Sequence, residues 1–169
     1  SRIAFFKADA ILRVMSKEVA TNKRARRDYN ITDTFEAGLV LRGTEVKSIR
    51  EGKVSITESF ARIERGECWL YGCDIQPWQT AGSFFQHEAK RPRKLLLHKN
   101  EILKLSQATL QKSFTLICLK LYFKGRRVKV QLGLGKGKGH NDQRHDLKKK
   151  TELREAQREV ARFNKGRGL

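Results

Sequence analysis

The feature that most constrains the fold is a pair of long alternating segments joined by a glycine turn. Residues 114–123 and 126–134 carry apolar side chains at every second position, and Lys124-Gly125 lies between them. On the second segment the apolar residues alternate with charged and polar ones. Because successive side chains of a strand point to opposite faces, this pattern predicts an antiparallel hairpin with one buried and one solvated face.

Shorter segments of the same kind predict further strands before this hairpin. Apolar positions alternate over residues 29–41, and residues 59–63 and 67–75 flank a turn at Arg65-Gly66. Pro77 ends the last of these strands, since proline has no N–H for the ladder. Several short antiparallel strands in a chain of this length predict a small closed barrel, of which the OB-fold is the common nucleic-acid-binding form. The alternation alone does not choose the OB topology.

Two short helices interrupt the strands. Thr44 is the expected N-cap of the first helix, and Gly52 is placed to end it. Residues 99–110 have helical apolar spacing, with Glu101 three residues after His98 as in a capping box. The predicted class is therefore mainly β. It is an OB-fold-like closed antiparallel barrel with two or three short helices and a basic C-terminal tail that is helical when bound.

The net charge indicates a polyanionic partner. The chain carries a formal charge of +19 over 169 residues. Nucleic acid or an anionic membrane surface suits such a balance. No apolar run approaches the roughly 18–20 residues that span a bilayer, so no membrane partner is expected. Nucleic acid is the favoured partner.

Cysteine usage indicates a reducing compartment, and we expect the cytoplasm. The three cysteines, Cys68, Cys73 and Cys118, are an odd count without a CxxC pair. That pattern disfavours a disulfide or zinc framework. All three are expected to be small buried or half-buried residues.

The C-terminal segment is too polar to build a core. Residues 136–169 hold eleven Lys and Arg against five Asp and Glu. One apolar stripe recurs at helical spacing and consists of Leu153, Ala156, Val160 and Phe163. Such a stripe is too weak to hold a free helix, and Gly135, Gly137 and Gly139 are expected to uncouple it from the barrel. The tail is therefore predicted to be disordered when free and helical on its partner.

The predicted organisation has three parts. Met15 and the residues after it have the character of a natural translation start, so residues 1–16 are treated as an N-terminal extension of uncertain origin, weakly similar to a transit segment. Residues 17–135 form the barrel. Residues 136–169 form the basic tail.

No catalytic constellation is found in the sequence. His87, His98, His140 and His145 are scattered, without an HExxH motif, and no GxSxG elbow or P-loop is present. The chain is therefore expected to be a binding protein, not an enzyme, with no cofactor and no metal.

Basic clusters with interleaved aromatic residues favour RNA binding. Lysine and arginine neutralise phosphates, and an unpaired base can stack on an aromatic ring. Three basic edges are predicted: Lys23, Arg24, Arg26 and Arg27; Lys90, Arg91, Arg93 and Lys94; and Lys120, Lys124, Arg126, Arg127 and Lys129. The interleaved aromatics are Tyr29, Trp69, Tyr71, Trp78, Tyr122 and Phe123, of which Trp69 and Phe123 are expected to be core residues.

A set of short motifs in a fixed order resembles a known family. The motifs are Asn22-Lys23-Arg24-Ala25-Arg26, Phe35-Glu36-Ala37-Gly38-Leu39, Gly43-Thr44-Glu45-Val46-Lys47-Ser48, Arg93-Lys94-Leu95-Leu96-Leu97-His98, Lys120-Leu121-Tyr122-Phe123 and Lys136-Gly137-Lys138. An Asp-x-Arg motif follows at the start of the tail. Each motif is weak alone, but together they resemble the small protein B family, the SsrA-binding proteins of bacterial trans-translation.

The resemblance implies a role in ribosome rescue. The family's barrel binds the tRNA-like part of transfer-messenger RNA (tmRNA, or SsrA RNA), and its tail helix enters the empty mRNA path of a stalled ribosome. Implied partners are tmRNA, small-subunit ribosomal RNA and, through the aminoacylated tmRNA, elongation factor Tu, with the protein a monomer in the RNA complex.

Site residues follow from the motifs and from the basic clusters. The RNA-face residues carried over by motif are Asn22, Lys23, Arg24, Glu36, Leu96, His98, Gly137 and Lys138. The basic clusters add Arg26, Arg27, Arg93, Lys94, Lys129 and Lys136. The residues expected at the ribosomal decoding site are Asp142, Gln143, Arg144, Lys148, Lys149 and Lys150.

Two positions depart from the family pattern. Gln143 stands where a lysine is usual, so one positive contact to ribosomal RNA is either missing or made by a neighbouring residue. Arg27 stands where histidine is common, and arginine can still stack or pair with phosphate. The alternatives are a different basic OB-like protein, such as a ribosomal protein or general RNA chaperone, and a nucleic-acid enzyme with an unrecognised site.

Overall fold

A computed structural model describes residues 16–79, 86–111 and 113–166, which contain nine strands and four helices. One compact unit ends at Gly137, and a second begins at Lys138. The elements are β1 (Ser16–Thr21), α1 (Ala25–Asp28), β2 (Tyr29–Leu39), α2 (Gly43–Arg50), β3 (Val54–Ser55), β4 (Phe60–Glu64), β5 (Glu67–Tyr71), β6 (Asp74–Ile75), β7 (Arg93–Leu96), α3 (Lys99–Thr109), β8 (Phe114–Lys124), β9 (Arg127–Gly137) and α4 (His140–Gly166).

The first unit is a closed antiparallel barrel. Its strands follow the order β8-β4-β5-β7-β2-β9, and β9 pairs again with β8 to close the ring. Strand β1 adds to the second half of β8, while β3 and β6 form a separate two-stranded sheet. The predicted mainly-β, OB-like barrel is confirmed, and closure leaves few unpaired edges.

The barrel interior is filled by aliphatic side chains from every strand of the ring. Leu70, Leu95, Leu116, Leu132 and Val130 are each no more than 1% exposed. Burying one such side chain stabilises the fold by about 1.5–3 kcal/mol. Cys68, Cys73 and Cys118 are also buried, which confirms their expected role, and burial raises the pKa of the Cys68 and Cys73 thiols to about 11.

A bulge in β8 changes which face its side chains occupy. The pairing of β8 with β9 shifts between Cys118 and Lys120, so Leu119 is the extra residue. Before the bulge Ile117 packs outside the barrel, whereas after it Leu121 points into the core. The bulge therefore moves the odd-numbered residues of β8 from the outer face, beside α1, to the barrel interior.

A second bulge, in β2, also changes which face the side chains of its strand occupy. The register against β9 shifts between Ile31 and Asp33, so Tyr29 and Ile31 pack beside Ala25 of α1 instead of entering the core. Phe35 and the residues after it turn inward. The two predicted runs of alternation, at Tyr29 and Ile31 and from Phe35 onward, therefore bury opposite faces, because the extra residue lies between them.

The predicted strand over residues 67–75 is also divided. Gly72 has φ +72°, and a Cβ there would lie 2.6 Å from the carbonyl oxygen of Glu58. Strands β5 and β6 are therefore separate, and the break lies before Pro77. The Arg65-Gly66 turn is confirmed, with φ of 50° and 75°. The β8–β9 turn lies one residue later than predicted, at Gly125 and Arg126.

Two of the three glycines expected to form a hinge, Gly135 and Gly137, belong to the barrel wall. Strand β9 continues to Gly137, pairing with β2 to its last residue. A Cβ on Gly135 would lie 2.7 Å from the Asn30 carbonyl oxygen, and one on Gly133 would lie 2.9 Å from Leu119 Cδ1. These glycines allow strands to approach closely where the barrel closes. Strand β9 and the first compact unit both end at Gly137, whereas the predicted barrel ended at residue 135.

The ends of the two predicted helices are only partly as expected. Thr44 is not the N-cap of α2, since the helix begins at Gly43 and the Thr44 hydroxyl bonds to His87 Nδ1 at 2.9 Å. Gly52 ends α2 as predicted, and its N–H donates to the Ile49 carbonyl. Helix α3 begins after His98, but no side-chain capping bond forms there.

Two charged side chains are fully buried between α2 and β7. Arg93 and Glu45 are each 0% exposed, and Arg93 Nε lies 3.3 Å from Glu45 Oε2. The Arg93 guanidinium also donates to the carbonyls of Cys73 at 2.7 Å and Ala89 at 3.0 Å. The partly exposed Arg91 donates to both oxygens of Glu45. This cluster ties α2 to β7 and to the segment before it.

Opposing effects set the ionisation of Glu45. Burial on its own raises the pKa of the carboxyl. The hydrogen bonds from Arg91 and the positive charges of Arg93 and Arg91 outweigh burial, so the pKa lies below its ordinary value of 4.5. The pKa of this carboxyl is lower in the folded protein than in the unfolded chain. Its ionised form therefore stabilises the fold at pH values above the unfolded-state pKa. That stabilisation is lost as the pH falls through the folded-state pKa.

Glu45→Gln is expected to lower the free energy of unfolding by about 3–5 kcal/mol at pH 7, because it leaves the Arg93 charge buried without its partner. The wild type should also lose stability as pH falls below about 4.5, and the variant should lose less over that range. Urea unfolding at several pH values measures both effects. The control Glu51→Gln changes an exposed carboxylate paired with Lys53, and an equal loss there would contradict the assignment.

Candidate nucleic-acid interface

A buried asparagine anchors the first basic cluster. Asn22 is 6% exposed, and its side-chain Nδ2 donates to the carbonyls of Thr57 and Cys118, each at 3.2 Å. Its Oδ1 accepts the backbone N–H groups of Arg24 and Ala25. Asn22 was predicted on the RNA face, but here its side chain fixes the turn that presents the neighbouring cations.

The cations of this cluster are exposed, and one of them lines a cleft. Lys23, Arg24, Arg26 and Arg27 all lie at the surface, as predicted for a basic edge, and Arg27 pairs with Asp28 at 3.0 Å. Arg24 lines a cleft of about 340 Å³, together with Tyr29 and Phe60.

Glu36 lies at the centre of a polar network on the outer face of the barrel. Its carboxylate accepts a hydrogen bond from the Tyr122 hydroxyl and pairs with Lys124 Nζ at 3.1 Å. Burial raises the pKa of Glu36, but the bonds from Tyr122 and Lys124 outweigh it, and the net pKa is lowered. Burial and the bond to Glu36 raise the pKa of Tyr122. Glu36 therefore stays ionised and holds two side chains in place.

Gly38 brings two further predicted residues beside this network. It pairs with Leu96 of β7 on one side and with Lys129 of β9 on the other. A Cβ at Gly38 would lie 3.3 Å from Leu96 Cβ and 3.7 Å from Lys129 Nζ. Leu96 is 55% exposed, and it lines a cleft of about 310 Å³ together with Lys129 and Arg126. An exposed leucine thus stands beside lysine and arginine.

The second predicted basic edge is a surface at Lys90 and Lys94, but its two arginines are used inside the protein. Arg93 is buried and Arg91 is bound to Glu45, because both serve the internal cluster. Lys94 is half-exposed and pairs with Glu67 at 2.9 Å. His98 is exposed at the start of α3. The alternation of β7 explains the difference, since Arg93 and Leu95 point inward while Lys94 and Leu96 point outward.

The third predicted edge is partly neutralised. Lys120 pairs with Glu18 at 2.8 Å, and Lys124 pairs with Glu36. Arg126 and Arg127 are exposed at the tip of the β8–β9 hairpin. Among the aromatics, Phe123 is in the core as expected, but Trp69 is half-exposed on the outer face of β5, so its predicted core position is wrong.

The end of β9 and the tail carry the remaining predicted residues. Lys136 lies over the Phe114 ring, with Nζ 4.8 Å from the centroid, and Gly137 is the last strand residue. In the second unit, Lys138 bonds to Asp146, whose pKa is lowered by that bond.

Helix α4 presents its cations and its apolar stripe to solvent. Arg144, Lys148, Lys149 and Lys150 are exposed, and the side chains of Asp142 and Gln143 lie outside the described residues. Leu153, Val160 and Phe163 of the stripe are 60–62% exposed. A helix with this much exposed apolar surface is a candidate for docking.

The described residues contain neither a metal-binding cluster nor a membrane-spanning helix. No group of three or more His, Cys, Asp or Glu side chains there is placed to hold a metal ion. No described helix is long and apolar enough to cross a membrane.

The fold and its surface together define a basic OB-like barrel protein with a separate basic helix. The chain belongs to the SmpB family, since the family model described as "SmpB protein" matches residues 19–162. This agrees with the resemblance drawn from the motifs. Those motifs include the segments that carry Glu36, Leu96 and Lys138.

Named relatives cover most of the chain. An "SsrA-binding protein" of Carboxydothermus hydrogenoformans is 51% identical over 144 residues, which is 85% of this chain and 96% of the relative. One of Corynebacterium glutamicum (strain R) is 53% identical over 148 residues, 88% and 90% of the two chains. A solved structure described as "tmRNA-SmpB: a journey to the center of the bacterial ribosome" holds a chain with TM-score 0.61 and 50% identity, covering 72% of this chain and 85% of that one.

Sequence reasoning missed the internal roles of Asn22 and Arg93. Nothing in the sequence marks either as buried, because each lies in a basic run next to exposed cations. The pairing of Glu36 with Tyr122 was also missed, since the two residues are 86 positions apart.

Tyr122→Phe is expected to raise the pKa of Glu36, because it removes a hydrogen bond that stabilises the carboxylate. Carboxyl chemical shifts followed through an acid titration measure the change. The control Tyr71→Phe removes the equivalent hydroxyl bond to Glu64 and should leave Glu36 unchanged. An unaltered Glu36 titration in Tyr122→Phe would contradict the network.

Proposed function

We propose that this chain binds the tRNA-like domain of tmRNA and delivers it to stalled ribosomes in trans-translation, in the cytoplasm. The observation that carries the proposal is the surface around Gly38, where Glu36, Leu96 and Lys129 meet on a barrel of the SmpB family. Relatives named SsrA-binding protein and the tmRNA-SmpB structure support the choice of RNA.

Each residue of this surface has a separate task in the proposed complex. Lys129 neutralises a phosphate, and Leu96 offers an apolar contact to a base or ribose. Glu36 acts mainly by positioning, since its carboxylate is already bound to Tyr122 and Lys124. That role explains why a carboxylate is placed on a surface that meets a polyanion.

The cluster near α1 supplies a second group of contacts. Lys23, Arg24 and Arg26 are exposed on a turn that Asn22 holds rigid, so their backbone positions are fixed before RNA arrives. Preorganised cations lose less conformational entropy on binding than cations on a flexible arm. Asn22 thus contributes to binding through the shape of the turn.

In the proposed complex the tail binds the ribosome at the decoding site and along the empty mRNA path. Arg144 and the lysines at 148–150 are exposed cations that ribosomal RNA would neutralise. Asp142 and Gln143 complete the predicted decoding-site group. The exposed stripe of α4 would lie against the ribosomal surface, and isolated tail should be disordered until it does so.

The proposed activity is that of an adaptor without catalysis. One protein molecule links tmRNA to the small-subunit ribosomal RNA. Elongation factor Tu is reached only through the aminoacylated tmRNA.

Glu36→Gln and Lys129→Gln are each expected to weaken binding of the tRNA-like RNA several-fold, with stability changed by less than about 0.5 kcal/mol, since both residues lie at the surface. Filter binding and thermal unfolding measure the two effects. Glu64→Gln is the control for Glu36, because Glu64 also accepts a tyrosine hydroxyl on an exposed strand. Equal affinity of the wild type for the tRNA-like RNA and for duplex DNA of the same length would reject the proposal.

Truncation after Gly139 is expected to leave tmRNA affinity nearly intact and to abolish tagging on stalled ribosomes, because the barrel binds tmRNA and the tail binds the ribosome. Phe163→Asp should approach the same result by breaking the apolar stripe. Leu147→Asp is its control, since Leu147 is equally exposed but lies sixteen residues earlier, on the opposite side of the helix. Full tagging by the truncated protein in a reconstituted translation system would show the tail proposal to be wrong.

A further inference from the structure

A third cleft adjoins the tip of the β8–β9 hairpin, and Arg126 is its only lining residue from the three predicted basic edges. It has a volume of about 620 Å³ and is formed by β1, by the turn after α2 and by the hairpin tip. Val19 and the largely buried Phe123 supply apolar lining. Its charged lining residues are Lys17, Arg50, Arg126, Glu18 and Glu51.

The two carboxylates of this cleft are bound by other lysines. Glu18 pairs with Lys120 at 2.8 Å, and the bonds from Lys120 and Thr21 lower its pKa. Glu51 pairs with Lys53 at 3.1 Å. Neither lysine lines the cleft. The negative charge at the cleft is therefore already neutralised from outside it.

The three cations of the cleft have no such partner. Lys17, Arg50 and Arg126 are all exposed, and none of them forms an ion pair or a side-chain hydrogen bond with a described residue. They come from three elements that are distant in sequence but adjoin the same cleft. Three unpaired cations around one depression make a local excess of positive charge.

Helix capping does not explain Arg50, the last residue of α2. The carbonyls at this end of the helix already have donors, since the N–H groups of Glu51, Gly52 and Lys53 bond to Lys47, Ile49 and Ser48. The guanidinium of Arg50 is not used for these bonds. Its charge is thus available to an external anion.

We propose that this cleft binds backbone phosphates of RNA through Lys17, Arg50 and Arg126. The inference rests on the proposed function and extends its RNA surface past the hairpin tip. Arg126 lines both this cleft and the one that contains Leu96 and Lys129, so the two depressions lie on either side of one arginine. An RNA strand leaving the Leu96 cleft would pass Arg126 and enter the third cleft, where Phe123 and Val19 suit the apolar face of a ribose or base.

Phosphates on this cleft could belong to tmRNA or to ribosomal RNA. The first arm of the test measures affinity for the tRNA-like RNA against salt concentration. The second measures ribosome binding in the same way. Each of Lys17→Gln, Arg50→Gln and Arg126→Gln should reduce the slope of log K against log salt by about 0.7–0.9 in one of the two arms, and the triple variant by about 2–2.7.

Arg65→Asn is the matched control, because Arg65 is an exposed cation at the tip of the β4–β5 hairpin and lines none of the three clefts described. It should leave the slope unchanged in both arms. Thermal unfolding of every variant checks that the barrel is intact, and the single substitutions keep the test valid if the triple variant does not fold.

The outcomes separate this inference from the function on which it rests. A reduced slope only with the tRNA-like RNA assigns the cleft to tmRNA, and a reduced slope only with ribosomes assigns it to ribosomal RNA. If the slopes are unchanged in both arms while Lys129→Gln still weakens RNA binding, the proposal that this cleft binds phosphates is wrong and the proposed function stands. Failure of the wild type to bind the tRNA-like RNA specifically would overturn the proposed function and, with it, the inference.

Discussion

The barrel depends on the burial of one guanidinium. Arg93 is inaccessible to solvent, and its charge is balanced by Glu45 while backbone carbonyls from two segments accept its N–H groups. A buried pair of this kind adds little stability over an apolar pair of the same size, but removing one partner is costly. Its effect is to fix the position of β7 against α2. Since β7 lies between β5 and β2, this position decides which side chains face outward beside Gly38.

The positive surface is shaped by which cations the acidic residues engage. Glu45 binds Arg91 and Arg93 internally, Glu36 holds Lys124, and Glu18 holds Lys120. A count of basic residues along the chain therefore overstates the charge that a polyanion would meet. Exposed cations lie at the turn near α1, at the hairpin tip and in the tail, among other places. The arrangement of ion pairs, more than the net charge, decides where RNA can bind.

Local patterns in the sequence were sufficient to predict the elements with the clearest periodicity. Alternation over the last hairpin predicted β8 and β9, helical spacing predicted α3, and the Arg65-Gly66 pair predicted a turn, because each depends on neighbouring residues. The bulge at Leu119 could not be predicted, since its cause is packing against α1 and the close approach of Gly133. The same holds for the division of β5 from β6, which follows from the contact between Gly72 and Glu58.

The candidate site shows the same division between local and distant information. Ordered motifs located Glu36, Leu96 and the cations near α1. They gave no sign that Arg93 differs from Lys94, because a run of consecutive basic residues does not show which side chains point into the barrel. The unpaired cations Lys17 and Arg50 were missed for a related reason. Each is unremarkable in sequence, and only the folded chain brings them to one cleft.

The position of β8 in the ring has a consequence for how the chain folds during synthesis. Strand β8 pairs with β1, β4 and β9. Strand β1 therefore cannot pair until a partner about a hundred residues further along the chain has been synthesised. Until β8 leaves the ribosome, the earlier strands expose unpaired edges, which are sites for misassociation. Contacts this distant in sequence also slow folding. Because the residues after Gly137 are made after β9, they separate the barrel from the peptidyl-transferase centre while β8 and β9 close it.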